Sequence, residues 1–397
     1  MKTVKRFFMV LCILVIALGI LAGCEEKREG ADKDSKGDET VSDDVKVDTS
    51  WYNSSKKTFT LTKASELMGL AELAKSNNFK GKTIKLGADI ALNKVRSKTI
   101  TNWRIGSEIP SNIWTPLGTE DVPFAGKIDG KGHTISGLYV DATQNGAGFI
   151  GRAATTVELT DIRFEDGYIK NTKNYTGIIG YGLVKRIEKV YTNLIIETSG
   201  VGTGGLIGWE MGGYADKTVG DMDKWENSYM RINECWFDGE IESSGYSIGG
   251  CVGGQEARAK VDITNFLSTG KLTCKRGDIY GRVGAIFGWM NYSAEYNLVN
   301  CVSTANIKTA YRGSGNMVGA LIGDLGANGL TITNCYGVGE TVIGRVQKDV
   351  ELSDDILKTI DEIEEMEIST ALPKLQRELI SPWKKDKGEA PVLRMLD

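Results

Sequence analysis

His133 is the chain's sole histidine, and that fact removes several site chemistries at once. A His-Glu-x-x-His zinc site and other multi-histidine metal centres each need at least two imidazoles. A Ser-His-Asp or Cys-His arrangement would have to use His133 itself, which stands in a glycine-rich turn, Gly130-Lys131-Gly132-His133. Carboxylate chemistry needs no histidine, because two carboxyl groups roughly 5–9 Å apart suffice for glycoside hydrolysis. The sequence is rich in acidic residues but presents no evident pair on one face. Asp221 and Asp223 are weak calcium candidates, since hard cations take carboxylate oxygens, and two carboxylates make an incomplete set. No catalytic residue and no cofactor is assigned.

Cys24 is the second reactive candidate. Lys2, Lys5 and Arg6 precede an apolar run from Phe7 to Leu21, the size of a signal-peptide core rather than of a spanning helix. The run ends in Leu21-Ala22-Gly23-Cys24, which resembles the bacterial lipobox. Residues 1–23 then read as a lipoprotein signal peptide, and the Cys24 thiolate as the acceptor of a diacylglycerol. The alternative is an ordinary cleaved signal with a chance cysteine. Lipid chains hold a protein on a membrane because each buried methylene contributes about 0.8 kcal/mol. The expected location is the cell membrane or outer membrane, facing away from the cytoplasm. Residues 24–50 are dominated by charge and lack aromatic residues until Trp51, as in a disordered polar tether.

The net charge of -4 argues against a nucleic-acid partner. With 49 glycines and only 6 prolines, the composition fits a turn-rich β architecture. Cys235, Cys251, Cys274, Cys301 and Cys335 are odd in number and irregularly spaced, which does not read as a disulfide framework. They read as small core residues, with a Cys301–Cys335 disulfide as the alternative.

The elements that would position a site come from a repeat. A small residue, two apolar residues and a glycine recur, closing at Gly151, Gly180, Gly208, Gly253, Gly288 and Gly323. The closing glycines stand 29, 28, 45, 35 and 35 residues apart. An apolar pair follows each copy (Leu159 with Ile162, Ile187 with Val190, and so on to Ile332 with Cys335). A third apolar position comes six or seven residues later: Ile169, Ile196, Ile241, Leu272, Ile307 and Val342. Such a unit, holding about three short strands, buries its apolar face only by stacking, the signature of a solenoid. The fold class expected is all-β, a right-handed parallel β-helix with short capping helices, spanning residues 51–345. A helix over 62–78, capped by Thr62 or Ser65, would cover one end. Residues 346–397, with Ser353 before Ile356, Leu357, Ile360 and Ile363, would cover the other. Stacking would bring Asn265, Asn300 and Asn334 into an internal amide ladder.

Repeats built for stability leave function to insertions and exposed columns. The third unit is the long one, and its insertion from Trp209 to Met230 carries Trp209, Tyr214, Trp225 and Tyr229. The position after each closing glycine reads Arg152, Tyr181, Trp209, Gly254, Trp289 and Asp324. Trp209 and Trp289 would stand roughly 9.6 Å apart, twice the strand spacing, with a gap at Gly254. Aromatic faces stack on sugar rings or partner side chains, so these residues are the candidate ligand-binding set. Corner packing is the alternative.

Phe79-x-Gly81-Lys82-Thr83-Ile84, Trp114-Thr115-Pro116-Leu117-Gly118 and Phe124-x-Gly126-x-x-Asp129-Gly130-x-Gly132-His133 resemble the opening segments of bacterial surface proteins with GLUG-type repeats. The six glycine-marked copies resemble the repeat itself. The resemblance spans roughly residues 60–395 and implies a surface-exposed right-handed β-helix with adhesion or binding roles. Similar repeats accompany IgA-cleaving metalloproteases, whose zinc motif is absent here. The expectation is a lipid-anchored, non-enzymatic binding or adhesion protein, partnered with the membrane through Cys24 and with a surface glycan or a host protein. The rival is a polysaccharide lyase or glycoside hydrolase on the same scaffold.

Overall fold

A computed structural model describes residues 44–210, 229–255, 260–278, 280–291, 295–311 and 317–365, with the short segments 383–384 and 392–393. The signal segment, Cys24 and most of the tether lie outside the described residues.

The glycine-marked copies stack as parallel strands. Ile150–Ala153, Ile179–Gly182, Ile207–Glu210, Val252–Gln255, Phe287–Asn291, Ile322–Gly326 and Ile343–Val346 form one sheet, every neighbour parallel. A second, longer sheet runs from Thr58–Leu61 through Glu158–Glu165, Arg186–Thr192, Tyr229–Phe237 and Lys260–Ser268 to Gly329–Thr333. A third holds Tyr139–Ala142, Tyr168–Asn171, Ile195–Thr198, Glu240–Ser243, Lys271–Cys274 and Asn306–Thr309. The chain is thus a parallel β-helix. Four successive coils also carry a fourth strand of two residues, such as Thr203–Gly204 or Ile248–Gly249, too short to be visible as a pattern.

The apolar columns fall as their spacing requires. Leu159, Ile187, Ile232, Ile263, Leu298 and Ile332 are successive register partners. So are Ile169, Ile196, Ile241, Leu272 and Ile307. Val342 does not continue that column. It lies one residue before the last strand of the glycine sheet, where Ile343 pairs with Ile322. Thr341-Val342-Ile343-Gly344 is therefore a seventh copy of the motif, hidden because threonine replaces the leading glycine or alanine. The five cysteines are buried free thiols, with Cys235 opposite Phe266 in the core.

The asparagine column is not internal. Asp161, Lys189, Glu234, Asn265, Asn300 and Asn334 all take φ between 51° and 54°. They mark the corner where each long strand bends. Asparagine recurs there because it tolerates the left-handed region better than branched residues do. The ladder is partial: Asn300 Nδ2 donates to Asn265 Oδ1 at 3.3 Å and Asn265 Nδ2 to Asn233 Oδ1 at 2.9 Å.

Helix α1, Ala64–Leu73, lies at the N-terminal end with Leu67, Leu70 and Ala71 buried. Its first turn is capped by the Glu66 carboxylate, which accepts from Thr62 N at 2.7 Å and Lys63 N at 3.2 Å; neither Thr62 nor Ser65 supplies the cap. A short helix α2, Thr99–Ile105, sits on an excursion between coils. Helix α3, Asp354–Glu365, starts after Ser353, whose hydroxyl accepts from Ile356 N at 3.4 Å. Ile356 and Ile363 are buried, whereas Leu357 points outward.

The corner column yields a stability test. Asn300→Ala is expected to lower stability by about 1–2 kcal/mol, the cost of a left-handed L-residue without a local amide. Asn300→Gly keeps the backbone relaxed and loses only the side-chain bond, about 1 kcal/mol or less. Thermal melts of both variants decide the matter: equal losses would move the whole effect onto the hydrogen bond.

Candidate functional site

The predicted aromatic stripe exists in register and is packed shut. Arg152, Tyr181, Trp209, Gly254, Trp289, Asp324 and Arg345 are consecutive partners. Tyr181 is 5% exposed and Trp209 2%, so neither offers a face to a ligand. The Trp209 ring leans across the place a Gly254 side chain would fill, where a Cβ would lie 2.2 Å from it. It thereby meets Trp289 at 5.4 Å between ring centroids, not across the gap of two strand spacings. Tyr175 stacks from the side, 5.3 Å from Tyr181 and 5.6 Å from Trp209.

Charges close both ends of the column. The Arg152 guanidinium lies 5.3 Å from the Tyr181 ring, and that of Arg282 4.6 Å from Trp289. Fully buried Asp324 accepts from Arg282 Nε at 2.7 Å and Arg345 Nη2 at 2.6 Å. Tyr229 is half-buried, donates to the Asp262 carboxylate, and lies under the Arg231 guanidinium at 4.5 Å. Tyr181 and Trp209 are buried in corner packing, while Trp289 and Tyr229 are partly exposed beside arginine side chains. Tyr214, Trp225, Asp221 and Asp223 lie outside the described residues. Among the described residues no cluster of three or more His, Cys, Asp or Glu side chains is placed to hold a metal ion. His133 Nδ1 sits 3.1 Å from Asp89 Oδ1, which also accepts from Thr134 N at 2.9 Å, so the imidazole helps close a turn.

Two constellations were not found from sequence. The first is a set of carboxylates on the outward face of the third sheet. Glu197 and Glu242 are register partners, and Glu240 is two residues from Glu242 on the same face. Arg104 of α2 reaches all three, with Nη1 3.3 Å from Glu240 and Nη2 3.1 Å from Glu242. Lys271 lies 2.8 Å from Glu240, and Lys275 pairs with Glu242. Burial would raise the Glu240 carboxyl, but Lys271 and Arg104 outweigh it and hold it below the usual range. The Tyr168 hydroxyl donates to Glu197 at 2.7 Å; burial first and that carboxylate second push its pKa up. The signal lay in the 45-residue unit spacing, which aligns Glu197 with Glu242 only once the register is known.

The second is a cleft of about 720 Å³ at the N-terminal end, beside the C-terminus of α1. Pro123, Ala125 and Tyr52 are among its apolar and aromatic lining residues. Asn78, Lys80, Asp121 and Thr155 contribute polar groups. The wall is rigid for local reasons. Asn77 and Asn78 form successive side-chain turns onto Phe79 N at 2.9 Å and Lys80 N at 3.0 Å. Phe79 takes φ 56° and buries its ring 5.9 Å from Phe124 and 5.5 Å from Tyr52. Those phenylalanines belong to the opening motif and pack beside the cleft, next to its lining residues Asn78, Lys80, Pro123 and Ala125.

Comparison with known proteins shows the fold alone. No family model and no curated protein matches the sequence. Among solved structures, a Bacteroides ovatus protein provisionally named an immunoglobulin A1 protease superposes with a TM-score of 0.56 at 18% identity, over 86% of this chain and 94% of that one. An IgA1 protease superposes at 0.32 and 14% identity, over 77% of this chain and 24% of that one. These findings correct the expectation of a non-enzymatic chain. The Bacteroides ovatus neighbour that shares its scaffold carries a protease's name, and a missing histidine pair in one chain does not define what a shared scaffold is used for.

Acid sensitivity can be derived from one further cluster on the long sheet. Glu158 is held by Lys127 at 2.9 Å, Lys185 at 3.0 Å and Arg186 at 2.7 Å. Burial alone would raise its carboxyl; the three cations outweigh burial and hold it at about 2. Its contribution is therefore complete above the ordinary carboxylate pKa of 4.5 and is lost as pH falls from there towards 2. Unfolding midpoints at pH 7 and pH 3 should differ less in Glu158→Gln than in the parent. An unchanged difference would remove Glu158 from the acid limb.

Proposed function

We propose that this chain is a lipid-anchored surface protein, held on the membrane through Cys24 and facing away from the cytoplasm. Its β-helix presents a binding cleft at the N-terminal end to a glycan or to a protein ligand. The observation that carries the reading is the cleft itself. At about 720 Å³ it lies within the size range of small-molecule sites. It combines apolar and aromatic lining residues with amide, hydroxyl and charged groups. A sugar ring offers an apolar face and a hydroxyl rim, and this lining matches both. Immunoglobulin A1, named with the Bacteroides ovatus neighbour, is the first protein ligand to test.

The experiment is titration of the purified protein against an oligosaccharide panel and against immunoglobulin A1. The double variant Lys80→Ala, Asp121→Ala changes two exposed side chains of the cleft and leaves its buried lining residues Pro123 and Ala125 intact. Any binding detected should weaken by about 10-fold or more, as for loss of one or two polar contacts. Binding unchanged in that variant would sink the cleft assignment.

A second reading, cleavage of an acidic polysaccharide, is favoured by the carboxylates of the third sheet. Glu240 and Glu242 lie two residues apart on one face, about 7 Å between Cα atoms. Here Arg104 and the lysines hold the carboxylates in place. Release of reducing or unsaturated ends from pectin-like and mucin-like polymers should be detectable and should fall about 100-fold or more in Glu240→Gln. Turnover that survives the substitution rules this face out.

A further inference from the structure

The excursion from Asn93 to Ile113 carries apolar side chains that no described residue covers. Ile105 is 70% exposed, Ile109 63% and Ile113 44%. With Val47 they make up four of the eight large apolar side chains exposed among the described residues. Isolated exposed apolar residues are ordinary; three isoleucines within nine positions are not. The same excursion carries Lys94, Arg96 and Lys98, all exposed and none in an ion pair with a described residue. On the coil walls several cationic side chains are instead drawn into cross-coil pairs, among them Lys127, Arg186, Lys271 and Lys275.

The excursion is held rigidly at its root. Asn93 Nδ2 donates to Asn112 O at 2.8 Å, and Asn112 Nδ2 donates to Leu92 O at 2.9 Å. Midway, Trp103 is buried against Tyr139 at 5.4 Å and Arg104 holds the acidic face. The N-terminal chain arrives at the same root. Val45 N donates to Asn112 Oδ1 at 2.9 Å, one residue from Ile113. About 20 residues separate Val45 from Cys24, a reach of at most about 70 Å.

We infer that this excursion is a membrane foot: Ile105, Ile109 and Ile113 enter the interface of an anionic lipid bilayer while Lys94, Arg96 and Lys98 contact its headgroups. Two observations select a lipid surface over other occupants. The chain that would lead to the lipid begins at the root of the excursion. The combination of exposed apolar side chains with cations in no ion pair with a described residue matches the two layers of an anionic interface. The inference deepens the proposed anchoring at Cys24 but does not need the lipid for its own test. A basic, apolar patch adds a contact with the bilayer beyond the lipid chains themselves.

The test uses the mature chain from residue 24 with Cys24→Ser, so that no lipid is attached. It is mixed with vesicles of phosphatidylglycerol and phosphatidylcholine in equal parts, and with phosphatidylcholine alone. Sedimentation should show binding to the anionic vesicles that falls with salt. Replacing Lys94, Arg96 and Lys98 together by Gln should weaken it by about 100-fold, roughly 5-fold per basic residue. Replacing Ile105, Ile109 and Ile113 together by Ser should weaken it by about 10-fold or more, with an unchanged thermal melt because all three are exposed. No binding to anionic vesicles, as when the acidic residues 25–44 occupy the patch instead, overturns the foot, and so does full binding by the isoleucine variant. Mass analysis of Cys24 in cells reports separately on the anchor, so an unmodified cysteine would fail that reading while the vesicle result still judges the foot.

Discussion

Coil closure depends on a contact between backbones that leaves no room for a side chain. At each closing glycine of the repeat an added Cβ would sit within 2.3–2.9 Å of a neighbouring main chain: 2.3 Å from Thr176 N at Gly208, 2.4 Å from Gly208 O at Gly253, 2.3 Å from Val318 N at Gly344. Real Cβ atoms do not come so close, so one alanine there would force two strands of a coil apart. Because the coils are hydrogen-bonded to each other in register, the displacement would propagate to both neighbours. The glycine column sets where each coil turns, and the in-register columns follow from it.

That constraint explains what became of the aromatic stripe. Large rings one residue beyond the glycines stand beside a surface with no side chains. They are drawn down onto it, Trp209 over Gly202 and Gly254, and Tyr181 over Gly146. Burying a Trp or Tyr ring against flat backbone stabilises the corner through area alone, and the flanking arginines add contacts to the ring faces. A column so well packed is a poor place for a ligand. Recognition is displaced to parts of the chain that leave the coil path, such as the opening segment around Phe79 and Phe124 and the excursion around Trp103.

Register was legible in the sequence because a parallel stack converts a linear spacing directly into a spatial column. Leu159 to Ile332 needed only counting. What counting misses is anything set by rotation or by the third dimension. The direction in which Trp209 leans depends on Gly254 in the next coil, and the outward pairing of Glu197 with Glu242 crosses an insertion. The left-handed corner was written in the sequence as a run of Asp, Lys, Glu and three Asn, but only the asparagines resemble their usual company, so the column read as a ladder. Val342 was misplaced because the final coil omits the third sheet, leaving an apolar residue at a plausible distance on a different face. The cleft needed two distant loops, 77–80 and 121–125, to be brought together by the Phe79–Phe124 contact, and no local pattern announces such a meeting.

A solenoid is close to one-dimensional, and its charge follows the same logic. Opposite charges one coil apart neutralise each other at little cost, since the backbone already fixes their separation: Lys127 with Glu158, Glu158 with Arg186, Glu240 with Lys271. Each such pair on an exposed face contributes little alone. Segments that leave the coil path are released from this arithmetic. The cations at 94, 96 and 98 are in no ion pair with a described residue and lie close together in the sequence. They stand on an excursion whose root also receives the incoming chain at Val45. The stacking that makes the walls stable is what confines recognition to the ends and the excursions.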